Sequence, residues 1–146
     1  MRSALVLLLA AGACRAAYQP RTRAVTVTAV PLLTKEMAAV YPFLKADFAA
    51  QGVLAGKEVY AFIPSTLTAY TGDTLAITFV NPEDDAHTFV LPDFSVALPG
   101  QSLKTVRYAV GAPGIYPFRC DIPAHAPMMS GQLVVLAPAA PDPPAP

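Results

Sequence analysis

From residue 57 onward, apolar and polar positions alternate with a period of two. The segments "EVYAFIP", "TLTAY", "LAITFVN", "HTFVLP", "LKTVRYAV", "GIYPFRC" and "GQLVVLA" are short and rich in β-branched and aromatic residues, which suit a pleated, half-buried surface. Between them lie "TGD", "NPEDD", "LPGQ" and "GAPG", whose residues set turn dihedrals. So many short strands, closely spaced and with almost no helix between them, predict an all-β antiparallel sandwich rather than a parallel α/β sheet.

Upstream the pattern changes. "AVTVTAV" at 24–30 predicts one more strand, and Met37, Tyr41, Leu44 and Phe48 then recur at helical spacing. Thr34 is placed to cap that helix. Pro42 falls inside it, so a break or two short turns is expected. This divides the folded part, 24–137, into an N-terminal strand with a short helical segment (24–56) and a β core (57–137).

The chain ends read differently. "MRSALVLLLAAGAC" has a basic Arg2, an apolar run and small residues before Cys14, the layout of an export signal over 1–13. The run is shorter than the roughly 20 apolar residues a membrane-spanning helix needs. Cleavage before Cys14 would resemble that of a bacterial lipoprotein, with a lipid on Cys14, whereas Ala11 and Ala13 also form the A-x-A pattern of ordinary signal cleavage. The expected location is the periplasm or the outer face of the cell membrane, any membrane attachment being through that lipid. Residues 14–23 read as a tether and "PAAPDPPAP" at 138–146 as a disordered proline-rich tail.

Length and charge narrow the function. The chain has 146 residues, enough for one domain, and a monomer is expected. Ten basic residues balance ten acidic ones, which leaves no electrostatic footprint for nucleic acid. Of the two cysteines, Cys120 is left alone if Cys14 is lipidated or removed. A lone thiol in an oxidising compartment calls for protection by burial or by a metal.

The chemistry concentrates in "FRCDIPAHAPMMSG" at 118–131. Cys120, His125 and Met129 lie close together there, and the only other histidine, His87, opens "HTFVLP" after the turn "NPEDD". In a sandwich two such strand ends can meet at one pole. Singly, each residue is more often plain packing: a buried thiol, a satisfied strand histidine, core-filling methionines. As a set, two imidazoles, a thiolate and a weak axial thioether mark a mononuclear blue-copper site, since hard cations prefer oxygen and structural zinc takes four His or Cys ligands.

The segments "GIYPFRCDIPAHAPMMSGQLVVL" and "NPEDDAHTFVLP" resemble the ligand loop and the first-histidine region of the cupredoxins, small blue copper proteins. The likeness covers about residues 57–137, and the Cys-x4-His-x3-Met spacing is similar to azurin's. It implies a Greek-key β-sandwich and one copper ion, Cu(II)/Cu(I), held by His87, Cys120 and His125 with Met129 axial. Met128 is the rival for the axial place, but in related loops the methionine stands two residues before the glycine that opens the last strand, here Gly131. Thr88 stands where many relatives have an asparagine, and its backbone N–H is expected to reach the Cys120 sulfur. The resemblance also implies that the His125 ring edge reaches the surface among Pro123, Ala124, Ala126, Pro127 and Met128. It implies outer-sphere electron exchange with a redox protein, such as a cytochrome or a membrane oxidoreductase.

Other chemistries fit less well. Copper nitrite reductases and multicopper oxidases link a second copper through a histidine next to the cysteine, where this chain has Arg119 and Asp121. The binuclear site of cytochrome oxidase subunit II needs Cys-x3-Cys, and Ala124 occupies the second place. A thiol enzyme using Cys120 and His125 lacks an orienting third residue. A non-enzymatic electron carrier is therefore expected, with periplasmic copper binding and delivery as the alternative.

Overall fold

A computed structural model describes residues 17–126 and 128–140. The expected signal segment, Cys14 with the lipid expected on it, and most of the proline-rich tail lie outside the described residues. Among those described, nine strands form two sheets. The first, in the order β2-β1-β4-β7, contains β1 (Thr22–Leu33), β2 (Val59–Ile63), β4 (Thr74–Asn81) and β7 (Ser102–Ala109). The second, in the order β3-β9-β8-β5-β6, contains β3 (Thr66–Tyr70), β5 (His87–Leu91), β6 (Phe94–Leu98), β8 (Gly114–Arg119) and β9 (Ser130–Leu136).

Strict alternation builds the interface between the sheets. Leu75, Ile77 and Phe79 of β4 face Phe89, Leu91, Phe118 and Leu133 in one buried cluster, because successive strand residues point to opposite faces. The Phe62, Phe79, Phe89 and Phe118 rings pack on one another with centroids 4.6–5.8 Å apart, a spacing favourable to aromatic pairs.

The expected sandwich is present, and most strand pairs are antiparallel. Two are parallel: β1 with β4, and β3 with β9. Both join strands distant in sequence, so each crossover has room for intervening chain. Strand β6 has no counterpart among the runs read from the sequence. It follows β5 after only Pro92 and Asp93 and pairs with it from His87↔Leu98 to Leu91↔Phe94, so a hairpin stands where the sequence predicts the single strand "HTFVLP".

The helical segment is broken where Pro42 requires. Helix α1 (Met37–Val40) stops before Tyr41, a 3-10 turn spans Pro42–Leu44, and helix α2 spans Lys45–Phe48. Thr34 does not cap α1 through its side chain as expected. Glu36 occupies the N-cap position and also lacks a side-chain cap bond, while the Thr34 carbonyl accepts from Met37 N–H at 3.1 Å.

Register places the chemistry at one pole. Because β1 runs parallel to β4 and antiparallel to β2, the end of β1, the start of β2 and the end of β4 all point toward one pole, with β1 and β2 continuing past the last β1–β4 pair, Thr28↔Val80, to Leu33↔Val59. The start of β5, the end of β8 and the start of β9 share that pole. At the opposite pole the buried Asp73 carboxylate accepts from the Tyr18 hydroxyl, Arg23 Nε and the backbone N–H groups of Arg21 and Tyr70. It thereby fixes the approach to β1.

Candidate metal centre

Each cluster residue owes its place to strand alternation. His87, Phe89 and Leu91 point inward from β5, and Cys120 continues the inward series through Phe118 one step past the end of β8. His125 and Met129 come from the connection between β8 and β9. That loop is closed by backbone bonds from His125 N–H to Ile122 O (3.0 Å), Met129 N–H to His125 O (3.2 Å) and Cys120 N–H to Met129 O (2.9 Å).

One donor atom from each of His87, Cys120 and His125 lies within 4.8 Å of the other two, and all three residues are buried. His87 Nδ1 faces His125 Nδ1 at 3.1 Å, and Cys120 Sγ lies 3.8 Å from His125 Nδ1. Donors held about 2.0–2.3 Å from a shared first-row ion in a trigonal plane stand about 3.5 Å apart for two nitrogens and about 3.8 Å for nitrogen and sulfur. The set therefore fits a transition-metal ion after a small widening of the imidazole pair.

The hydrogen bonding leads to the same fit. Among the described residues nothing pairs with the buried His87 Nε2. Whichever ring nitrogen of His87 carries the proton, Nε2 is left with an unmatched donor or an unmatched lone pair, and the facing Nδ1 atoms of His87 and His125, 3.1 Å apart, can share only one proton between them. Such an arrangement is costly in a low-dielectric interior, and a cation would occupy the facing lone pairs. Burial, and then the charge on His125, push the His87 imidazole down to about 4, with Asp85 partly opposing. Burial likewise lowers His125. Both rings are thus neutral near pH 7, as metal ligation requires.

The methionines separate by burial. Met129 is 0 % exposed and belongs to the same core cluster as Cys120, while Met128 is 58 % exposed. Gly131 permits this turn: a Cβ there would fall 2.3 Å from Ser65 O and 2.4 Å from the Phe118 ring. Thr88 carries out the expected contact, its N–H donating to Cys120 Sγ at 3.5 Å. Its hydroxyl also accepts from Asp121 N–H at 2.9 Å and lies within hydrogen-bond reach of the Asp121 carboxylate. A threonine side chain thus ties the β5 start to the cysteine loop.

Several supporting residues carry no motif. Asn81 donates from Nδ2 to Asp85 O at 2.7 Å and Pro99 O at 3.0 Å, pinning the turn that leads to His87. Gly100 lets the β6–β7 turn close on that segment, since a Cβ there would meet Asp84 O at 2.0 Å. Tyr60, inward-facing on β2, packs against both imidazoles. An asparagine closing the alternating run "LAITFVN" is the one sequence signal for Asn81.

The structure corrects the expected surface position of His125, which is only 4 % exposed. The excursion between β1 and β2 leaves and re-enters the sandwich at the metal pole, so it folds back over the ligand loop. Glu58 N–H donates to Ala124 O at 3.0 Å. Val53, Leu54, Lys57 and Val59 line a cavity together with Ala124, Ala126 and Met128.

The sequence matches the family described as Cupredoxin-like domain over residues 3–135. The chain belongs to the cupredoxin-like family. Its fold is similar to that of auracyanin A, a "blue" copper protein from the green thermophilic photosynthetic bacterium Chloroflexus aurantiacus, at 18 % identity and TM-score 0.51, covering 79 % of this chain and 99 % of that one. Auracyanin from Roseiflexus castenholzii aligns at 24 % identity and TM-score 0.47, over 52 % of this chain and 87 % of that one. A multicopper oxidase aligns at 20 % identity and TM-score 0.53 over 80 % of this cupredoxin-like chain, which spans 42 % of the oxidase. No curated protein matches the sequence.

Proposed function

We propose that this cupredoxin-like protein holds one copper ion through His87 Nδ1, His125 Nδ1 and Cys120 Sγ, with Met129 as the axial ligand, and acts as a one-electron carrier. The convergence of the three buried donors carries this reading. When bound, copper would supply a Cu(II)/Cu(I) couple. The residues of the chain keep the donors in place and dry: the Thr88 N–H reaches the cysteine sulfur, Asn81 fixes the approach to His87, and the loop bonds fix His125 and Met129. A fixed donor set needs little rearrangement between oxidation states, and the axial ligand and apolar surroundings tune the potential.

Electron transfer without substrate chemistry is supported by the histidine count. The chain has two histidines and both belong to the cluster, which leaves none for the histidine-rich second copper site of an oxidase. Burial of all donors also favours retention of the ion over delivery to an acceptor. The redox partner docks at the metal pole, a cytochrome or membrane oxidoreductase being the chemistry that suits it. Export and a lipid on Cys14 belong to the same proposal; among the described residues no helix is long and apolar enough to cross a membrane. Mass analysis of the mature N-terminus tests the lipid.

The deciding experiment adds one equivalent of Cu(II) to the chain and to Cys120→Ser, and records absorption and electron paramagnetic resonance spectra. An intense thiolate-to-copper band with narrow hyperfine splitting, lost in the serine variant, is expected. A pale tetragonal spectrum indifferent to the substitution refutes the assignment.

A further inference from the structure

Tyr60 sits where β2 meets the metal pole, and no motif marks it. Its ring centroid lies 4.6 Å from that of His87, nearly edge-on at 65°, and 4.7 Å from that of His125, at 58°. The two imidazoles are themselves 4.8 Å apart, so the three rings form a closed triangle. Tyr60 is 2 % exposed, and its hydroxyl donates to Asp85 Oδ2 at 2.6 Å, with Glu58 Oε2 at 3.5 Å. Asp85 is two residues before His87, and Asn81 anchors its carbonyl. One phenol therefore connects β2, the turn that delivers His87, and the ring of His125. On its other side Tyr60 lines a cleft of about 340 Å³ where Glu36, Glu83, Asp84 and Asp85 outnumber the single basic residue, Lys35.

The geometry points to Tyr60 as the positioning residue of the centre: its ring fixes both imidazole planes and walls the donor set off from the acidic cleft, while Asp85 holds the ring in place. This rests on the metal reading above. Two aromatic contacts plus a buried hydrogen bond to a carboxylate leave the phenol little rotational freedom. Residues that orient metal-binding histidines typically change affinity about 10–100-fold when removed. The ring, rather than the hydroxyl, supplies the wall, so phenylalanine is expected to preserve most of the effect and leucine to lose it.

The test compares the full chain with Tyr60→Phe and Tyr60→Leu. In the metal-free protein, nuclear Overhauser contacts from the Tyr60 ring protons to both imidazoles are expected. Zn(II) affinity, measured by chelator competition, should fall about tenfold or more in Tyr60→Leu and much less in Tyr60→Phe. In the copper-loaded forms, azide should perturb the thiolate band of Tyr60→Leu alone. Absent contacts to either imidazole, or unchanged Zn(II) affinity and azide resistance in a folded Tyr60→Leu, overturn the assignment. If Tyr60→Leu does not fold, the ring contacts of the parent chain decide. A chain that binds Zn(II) but gives no blue spectrum would sink the electron-carrier reading and leave Tyr60 to be judged on its own.

Discussion

Replacing Gly131 with alanine tests whether the close packing beneath the ligand loop is as tight as the structure has it. The added methyl would sit 2.3 Å from Ser65 O and 2.4 Å from ring carbons of Phe118, about 1 Å inside ordinary contact on both sides. Neither neighbour can move cheaply. Ser65 O accepts from Gln132 N–H at 2.9 Å, and Phe118 is enclosed by Phe62 and Phe89. Overpacking a filled site costs about 1–3 kcal/mol, and losing the Ser65 bond adds about 1 kcal/mol. The sum, about 2–4 kcal/mol, corresponds to a fall in Tm of about 10 °C for a domain of this size. Gly111→Ala is the control, because nothing lies within 4 Å of a Cβ there. Urea and thermal unfolding of the metal-free forms are the assay. A Gly131→Ala protein within a degree or two of the parent would refute the packing argument, and equal losses in both variants would refute its localisation.

Acid should weaken the metal-free protein in a defined window. His87 is held down to about 4 by burial and then by His125, against about 6.5 when unfolded. The unfolded chain therefore binds more protons between these values, so stability is complete above pH ~6.5 and is lost as pH falls toward ~4, by about 2–3 kcal/mol; urea midpoints that stay flat across this range contradict it. The methionines should separate spectroscopically. In the copper form, Met129→Leu is expected to keep the thiolate band and raise the reduction potential, at a stability cost below about 1.5 kcal/mol. Met128→Leu should change neither, and the opposite assignment in voltammetry would make the exposed methionine the ligand.

The sequence alone determined the local character of this protein. Period-two alternation marks the strands because each must bury one face, Pro42 breaks the helical segment because it has no N–H to donate, and the rarity of His and Cys singles out His87, Cys120 and His125. Strand β6 escaped because a turn of only Pro92 and Asp93 separates the short "FSVAL" from β5. Tertiary structure alone decided which strands are neighbours, including two parallel pairs that join distant segments. It alone brought His87 across from another strand to face His125, placed Tyr60 against both rings, gave Thr88 its tie to Asp121, folded the β1–β2 excursion against Ala124, Ala126 and Met128, and left His125 buried. The reason is physical: periodicity reports which face of an element is buried, whereas contacts between faces depend on register and crossover, which no single segment encodes.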